Sequence, residues 1–287
     1  MRKLIKIWFE EDIREGDHTS LCCIPPTQMG CQQLLIKDTG ILAGVEVAKE
    51  IIRYFDPECR MDQLLHDGDA VKPGDVAFRV TGKELSLLQI ERTMLNIMQR
   101  MSGVATTAHR YQSLIADTGC HVLDTRKTTP GLRYLEKEAV RIGGGMNHRI
   151  GLFDMILLKD NHVDFAGGIT NALERARDYC RAKNLSLRIE IETRNEQEIR
   201  EALATGIPDR IMLDNFTPER TAEAVKIIRD YGGKYIEIES SGGITLDTIR
   251  AYALAGVDYV SVGALTHSVK SLDMSFKARV QQSGRTD

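Results

Sequence analysis

The chain has 287 residues, of which 42% are hydrophobic and 28% are charged, and its formal net charge is −3. This composition is typical of a folded globular protein and excludes an intrinsically disordered chain. A net charge so close to zero produces no overall field that attracts nucleic acid or an anionic membrane, so an anion must bind to a local cluster of cations. The length suggests one large domain or two ordinary ones.

The cysteine pattern and the N-terminal sequence indicate in which cellular compartment the protein is expected. The six cysteines include no C-x-x-C pair and no zinc-ligand spacing, which favours reduced thiols in the cytoplasm. The N-terminal sequence MRKLIKIWFEED lacks the apolar run and cleavage site of a signal peptide. Nor does any stretch approach the roughly 18 consecutive apolar residues of a membrane span. We therefore expect a cytoplasmic protein with no membrane partner and no nucleic-acid partner.

The first part of the chain, to about residue 105, mixes helices and strands. Hydrophobic periodicity predicts helices over residues 1–11, 45–55 and 84–101, and a strand over residues 32–37. Residues 66–82 carry three turn signals and a short strand, which predicts a plain β-hairpin.

The second part alternates regularly between strands and helices. Strands are predicted over residues 121–126, 153–159, 187–193, 210–216, 235–240 and 259–264, and helices over residues 170–183, 196–205, 218–231 and 246–255. Repeated units of this size predict right-handed crossovers and a parallel sheet. Six clear strands, with room for a seventh, favour an α/β barrel over a doubly wound sheet, and no G-x-G-x-x-G motif follows a strand.

Charged residues recur where the predicted barrel strands end. They are Arg126 and Lys127, Lys159, Glu192, Asp214 and Glu239, on or after five successive strands. A charge in a strand is costly unless it is paired or used, and barrel enzymes bind substrate at the C-terminal ends of their strands. The pattern predicts an active site there, and a network of structural salt bridges is the alternative.

The candidate residues carry both signs of charge. The glycine-rich loop after residue 140 adds His148 and Arg149 to the cations, and such groups recognise carboxylates and phosphates. The acids Glu192 and Asp214 suit a metal-bound pyrophosphate, a sugar hydroxyl or a developing positive charge. Glu190 points to the same face as Glu192 and is expected to support it. A substrate with several negative charges, bound together with Mg²⁺, would use both sets.

Two glycine-containing loops follow the last two predicted strands. One is Ser241-Gly242-Gly243, and the other begins at Gly263-Ala264 and includes His267. Glycines let backbone N–H groups approach a phosphate, and late barrel strands often supply a phosphate site. We therefore predict phosphate binding at these loops, with a simple tight turn as the alternative.

Several motifs together resemble the quinolinate phosphoribosyltransferase family. They are EDIREGDHTS (11–20), ERTMLNIMQRMSGVAT (91–106), DTRKTTPGLR (124–133), VRIGGGMNHR (140–149), KDNH (159–162), IEIE (189–192), LDNF (213–216), SSGGI (240–244) and SVGALTHS (261–268). The resemblance covers nearly the whole chain. It implies an N-terminal α/β sandwich over residues 1–105, joined by the tail from about 272 to 287, and an incomplete, roughly seven-stranded α/β barrel over residues 106–271. It also implies that quinolinate and phosphoribosyl pyrophosphate (PRPP) give nicotinate mononucleotide, CO₂ and pyrophosphate in NAD biosynthesis, with Mg²⁺ and no organic cofactor.

The resemblance also implies a role for each candidate residue. The quinolinate carboxylates would bind Arg126, His148, Arg149 and Lys159, with Arg92 supplied by the second subunit of a homodimer. Catalysis would use Lys127, Glu192 and Asp214 around the ribose and pyrophosphate, with the two acids also serving Mg²⁺. The remaining PRPP set would be Glu91, Ser241, Gly242, Gly243, Gly263, Ala264 and His267. Asn161 and His162 would shape their loop.

Two other functions fit the same fold. One is a paralogue of the type associated with molybdate transport, acting on another anion, and the other is a non-enzymatic anion-binding protein. The full set of cations disfavours the first, and the acids Glu192 and Asp214 disfavour the second. Arg194 stands beside Glu192, where many family members carry a small or acidic residue, and this leaves the local arrangement open.

Overall fold

The structure, a computed structural model, describes residues 1–278. Its eleven helices within those residues are α1 (Arg2–Asp12), α2 (His18–Cys23), α3 (Val45–Phe55), α4 (Glu84–Ser113), α5 (Arg133–Ile142), α6 (Asp160–Ala166), α7 (Ile169–Lys183), α8 (Glu196–Thr205), α9 (Pro218–Asp230), α10 (Ile249–Leu254) and α11 (Ala264–His267). The twelve strands of the same region are β1 (Met29–Ile36), β2 (Gly40–Ile41), β3 (Arg60–Gln63), β4 (Ala70–Val71), β5 (Val76–Lys83), β6 (His121–Leu123), β7 (Ile156–Leu158), β8 (Ile189–Thr193), β9 (Arg210–Asp214), β10 (Glu237–Ser241), β11 (Tyr259–Ser261) and β12 (Met274–Ala278). Two compact units result, one of residues 1–107 with 269–278 and the other of residues 108–268.

Unit 1, residues 1–107 with 269–278, contains an antiparallel sheet in the order β12-β1-β5-β3. Leu34 and Ile36 of β1 alternate with more exposed neighbours and are fully buried, as a strand with one face on the core requires. Helices α1 and α3 meet through Phe9 and Phe55, whose ring centroids are 4.7 Å apart. The part of the predicted tail beyond residue 278 lies outside the described residues.

The hairpin predicted over residues 66–82 is wrong. Strand β4 pairs with β2, whereas β5 pairs with β1 and β3. The turn between them is held by Ile36, which accepts a hydrogen bond from Gly74 and donates one to the carbonyl of Asp75. Turn residues fix where the chain reverses, but distant strands decide which sheet each half joins.

Helix α4 continues twelve residues beyond its predicted end at residue 101. The hydroxyls of Thr106 and Thr107 donate to carbonyls one turn earlier, so these polar residues stay within the helix. Gly103 is required by close packing, because a Cβ there would lie 2.3 Å from the carbonyl oxygen of Lys270.

Unit 2, residues 108–268, contains a parallel sheet in the order β6-β11-β10-β9-β8-β7. Helices separate successive strands, and caps fix where they begin: Asn195 accepts the N–H of Glu198, and Thr217 precedes Pro218 at the first turn of α9. The predicted α/β class with a parallel sheet is confirmed. The place of a seventh strand is taken by a single parallel bridge between Met146 and Leu123.

Candidate active site

The strands of unit 2 are parallel, so their C-terminal ends lie along one edge of the sheet. Predicted site residues occupy that edge: Lys159 directly follows β7, Glu192 is the penultimate residue of β8, Asp214 ends β9, Ser241 ends β10, and Gly263 comes two residues after β11. Asp214 and Ser241 are also partners in the register between β9 and β10. The fold therefore gathers residues that are up to about a hundred positions apart in sequence.

The two predicted catalytic acids share one electrostatic environment. Burial, followed by the charge of Asp214, raises the pKa of Glu192. Burial also raises the pKa of Asp214, against a hydrogen bond from the Asn215 side chain. The charge of Lys159 opposes both shifts, and the backbone N–H of Asp160 donates to Glu192. Two partly buried carboxylates with raised pKa values at a strand edge form a site suited to a cation or to donor hydroxyls.

Lys127 and His267 meet at Gly263. A Cβ at Gly263 would lie 3.0 Å from Nε2 of His267 and 3.2 Å from Cδ of Lys127, so only glycine leaves this space free. The hydroxyl of Thr266 donates to the carbonyl of Lys127 at 2.8 Å, which ties the loop after β6 to α11. Ala264 begins α11 beside this space. The arrangement brings two cationic or hydrogen-bonding groups to one glycine, as phosphate binding requires.

The second glycine loop is shaped by Asn215. This residue has a positive φ of 56°, and its backbone N–H donates to the carbonyl of Ser241 at 2.8 Å. Its side-chain oxygen would be only 2.2 Å from a Cβ at Gly242, whose φ is +107°. Gly242 is therefore required both for its conformation and for this close approach, whereas Gly243, with a φ of +59°, has open space around it.

The predicted carboxylate-binding residues are held differently from one another. Arg126 and Lys159 are exposed, whereas Arg149 is buried and donates from Nη1 to the carbonyl of Met155 at 3.2 Å. Burial lowers the pKa of Arg149, and the positive charge of Arg126 lowers it further. Two arginines that repel each other in a partly desolvated place are best stabilised by a bound anion.

His148 lies deeper and faces the interior of the barrel. Its Nδ1 accepts the backbone N–H of Arg149 at 2.7 Å, and its Nε2 lies 3.0 Å from Glu190 and 3.5 Å from Glu239. Burial lowers the pKa of His148, whereas burial raises the pKa of Glu239 to about 7. Both ring nitrogens therefore face protein groups.

The group of His148, Glu190 and Glu239 has the composition of a metal site, with ligand atoms within 4.8 Å of one another. A positive charge is already supplied there, since Nη1 of Arg210 lies 2.8 Å from Glu239 and 3.8 Å from Glu190. We assign these residues to a buried ionic network. The prediction that Glu239 lies at a strand end is wrong, because β10 continues to Ser241 and Glu239 occupies its middle, fully buried.

Glu91 and Arg92 belong to unit 1, on helix α4, whereas all the other predicted site residues belong to unit 2. Arg92 is exposed and Glu91 is partly exposed. In unit 2, His162 accepts the backbone N–H of Lys159 through Nδ1 at 3.0 Å, while Asn161 is exposed. Arg194 is engaged by Asp164 and Glu198, on the surface.

Five residues that shape this site are not among those predicted from the sequence. They are Asp124, Lys137, Asp160, Arg210 and Asn215. The signal for Lys137 was available, because it lies one turn before Val140 on the buried face of α5, where an unpaired lysine would be costly. The motifs D-T-R and L-D-N contained Asp124 and Asn215, but only their neighbours were assigned a role.

The structure is a parallel α/β barrel whose strand ends carry cations, two acids and two glycine loops. Such a site is typical of a class of enzymes that act on multiply charged anions. Within that class, two family descriptions match this chain: "Quinolinate phosphoribosyl transferase, N-terminal domain" over residues 17–102 and the C-terminal domain of the same family over residues 104–277. The chain belongs to the quinolinate phosphoribosyltransferase family.

Similarity to known proteins extends over almost the whole chain. A chloroplastic nicotinate-nucleotide pyrophosphorylase (carboxylating) of Arabidopsis thaliana is 42% identical over 96% of this chain and 82% of its own length. A probable nicotinate-nucleotide pyrophosphorylase (carboxylating) of Bacillus subtilis is also 42% identical, over 96% of this chain and 92% of its own. The crystal structure of NadC from Streptococcus pyogenes superposes with a TM-score of 0.90 at 38% identity and covers 96% of this chain and 94% of that one.

Proposed function

We propose that the protein is a decarboxylating quinolinate phosphoribosyltransferase of NAD biosynthesis. Quinolinate and PRPP would give nicotinate mononucleotide, CO₂ and pyrophosphate. The observation that carries this proposal is the convergence of Lys127, Lys159, Glu192 and Asp214 at one edge of the barrel sheet in a chain of this family. Relatives named as nicotinate-nucleotide pyrophosphorylases favour it over a molybdate-associated or non-enzymatic role.

Quinolinate carries two carboxylates, which the cations on one side of the site would bind. Arg126 and Arg149 repel each other until an anion lies between them, and Lys159 stands at the next strand end. His148 supports this group from the barrel interior. Arg92 would reach the site from the partner subunit of a homodimer. Fixing both carboxylates orients the ring nitrogen for attack and excludes water.

PRPP would occupy the other side of the edge. Its 5′-phosphate fits the loops at Ser241–Gly243 and at Gly263, Ala264 and His267, where glycines keep the space open. Glu192 and Asp214 would bind the ribose hydroxyls and stabilise the positive charge that develops as pyrophosphate leaves. Lys127 and Glu91 would complete the contacts with the phosphates. After the N–C bond forms, the bond to the adjacent carboxylate would break and release CO₂. The electron pair would stay on the ring carbon next to the cationic nitrogen, and that carbon would then take up a proton from water.

Mg²⁺ fits the donors present here. The negative charge of Asp214 raises the pKa of Glu192, so a bound cation would stabilise the ionised carboxylates, and carboxylate oxygens are the ligands that this ion prefers. We propose that they hold Mg²⁺, largely through PRPP and water. The ion would neutralise the leaving pyrophosphate.

Assembly and location are part of the same proposal. A homodimer would supply Arg92 to each active site, with every interface contact used twice. All six cysteines are unpaired, which suits a reducing compartment such as the cytoplasm. Among helices α1–α11, none combines the length and the apolar character of a bilayer span.

The decisive experiment is a turnover assay with PRPP, Mg²⁺ and either quinolinate or nicotinate, followed by release of CO₂ and pyrophosphate. Nicotinate has one carboxylate, so some of the cations Arg92, Arg126, Arg149 and Lys159 would have no carboxylate partner in the occupied site. We expect kcat/KM for nicotinate to be at least about 100-fold lower. Comparable turnover of both acids, or no pyrophosphate release with quinolinate, would overturn the assignment.

A further inference from the structure

Beneath the loop that carries His148 and Arg149 lies a buried ion pair that has no role in the proposed chemistry. Asp124 follows strand β6, and Lys137 lies in helix α5. The Lys137 ammonium donates to Oδ1 of Asp124, and the side chains are 1% and 0% exposed. Neither group can therefore contact a substrate at the mouth of the barrel.

Both members of this pair bind the backbone of one residue, His148. Oδ1 of Asp124 accepts the N–H of His148 at 2.9 Å, and the Lys137 ammonium donates to the carbonyl of His148 at 2.9 Å. In the amide orientation that its neighbours require, Asn147 adds a donor 2.7 Å from Oδ2 of Asp124. The two peptide groups that flank His148 are thus fixed from the same side.

Stability alone does not account for this pair. Removing two charges from water costs more than their attraction usually returns, so a buried ion pair is a poor stabiliser compared with apolar packing. Burial indeed raises the pKa of Asp124 to about 6 and lowers the pKa of Lys137. What apolar residues could not replace is the pair of directional hydrogen bonds to the His148 backbone.

We propose that Asp124 and Lys137 are positioning residues that set the orientation of His148 and Arg149, and through them the binding of the quinolinate carboxylates. This inference depends on the proposed function. The Arg149 backbone N–H binds Nδ1 of His148, so a shift of the His148 peptide moves the imidazole and the guanidinium together. Most of the proposed PRPP contacts lie elsewhere, at the ends of β8, β9 and β10 and at the loop at Gly263, and Lys127 is not a hydrogen-bond partner of this pair. The affinity for PRPP should therefore change little.

The test compares the two substrates in the variants Lys137→Met and Asp124→Asn. Lys137→Met removes the donor to the His148 carbonyl while keeping the length of the side chain, and we expect KM for quinolinate to rise at least about tenfold. KM for PRPP should change less than about twofold. Asp124→Asn keeps an acceptor for the His148 N–H, so a smaller, equally selective rise is expected. Calorimetric titration with quinolinate should show the same loss of affinity.

Arg229→Met is the matched control. Arg229 pairs with Asp258 at 2.7 Å in the same unit. Asp258 directly precedes β11, so this pair lies at the N-terminal ends of the strands, whereas the proposed site lies at their C-terminal ends. This variant should lower the melting temperature, but it should not raise KM for quinolinate more than KM for PRPP. If the variants at 124 and 137 raise both KM values equally, or neither, the pair is only structural and the inference fails.

Further outcomes of these experiments distinguish a folding defect from a failure of the proposed function. Should Lys137→Met fail to fold, Asp124→Asn decides the question alone, because it is isosteric and its amide oxygen can still accept the hydrogen bond from the His148 N–H. If the wild-type protein does not convert quinolinate at all, the proposed function fails. If the wild type is active and the variants do not raise KM for quinolinate more than KM for PRPP, the positioning role is rejected and the proposed function stands.

Discussion

Arg126 and Lys159 would contribute to the proposed site in different ways, Arg126 through the geometry of its guanidinium and Lys159 through its charge. Arg126 is exposed, and its planar guanidinium can hold a carboxylate through two parallel hydrogen bonds, which a lysine cannot reproduce. Lys159 directly follows β7 and its charge acts on both Glu192 and Asp214. Lys159 thus links the carboxylate side of the proposed site to the acids.

We expect Arg126→Lys and Lys159→Ala each to lower kcat/KM for quinolinate at least about tenfold, with the circular dichroism spectrum unchanged. Arg194→Ala is the control, because Arg194 binds Asp164 and Glu198 on the surface although it is only two residues from Glu192. Near-normal kinetics in both site variants would show that these cations are merely structural.

At the scale of elements, the central strands of unit 2 bury charges inside the barrel. Strands β8, β9 and β10 contribute Glu190, Arg210 and Glu239, and the Arg210 guanidinium also lies 4.3 Å from the ring centroid of Tyr259. Branched aliphatic residues usually fill such interiors. Here the interior is an ionic network that ends at His148, beneath the proposed quinolinate site.

This network predicts a pH-dependent effect of Glu239→Gln. Burial raises the folded-state pKa of Glu239 from 4.5 to about 7, so its contribution to stability is complete below its unfolded pKa and is lost as the pH rises through about 7. Glutamine does not ionise. The free energy of unfolding of the variant, relative to wild type, should therefore increase from about pH 5 to about pH 8, by at most about 3 kcal/mol.

The control for that prediction is Glu237→Gln, measured by urea unfolding under the same conditions. Burial opposes ionisation of Glu237, but hydrogen bonds from Arg188 and Arg210 lower its pKa overall, so it stays charged across this pH range. Its variant should be destabilised by a constant amount. A constant difference for Glu239→Gln as well would contradict a carboxyl group that titrates near neutrality.

At the scale of the whole molecule, the predicted site residues are divided between two units of one chain. Arg92 lies exposed on α4 in unit 1, and Lys159 follows β7 in unit 2. The proposed homodimer would join an Arg92 and a Lys159 from different subunits in each active site. A two-fold dimer would then contain two such sites.

This arrangement predicts complementation between inactive variants. Arg92→Ala and Lys159→Ala should each be nearly inactive alone. After subunit exchange, half of the dimers should be mixed, and each should contain one intact site, so activity should return to about a quarter of wild type. Mass spectrometry would verify that mixed dimers form. Their presence without any activity would show that Arg92 does not act across the interface.

The fold class and the family could be predicted from the sequence, and so could the charged residues at the ends of β7, β8 and β9. Period-2 and period-3.6 patterns are local, so helices such as α3, predicted and found over Val45–Phe55, follow from them. Charges placed at successive strand ends could be assigned to one edge because parallel strands align their C-terminal ends. Motif order over nearly the whole chain then identified the family.

The polar groups that contact one another could not be predicted from the sequence, because their contacts depend on how the chain packs. Asp124 and Lys137 are thirteen residues apart, and Arg210 reaches Glu239 across a strand pair, contacts that no sequence period encodes. The pairing of β5 with β1 and β3 was likewise set by distant strands. The physical reason is that burial, which makes a charge costly and forces it to find a partner, is a property of the packed molecule rather than of any segment.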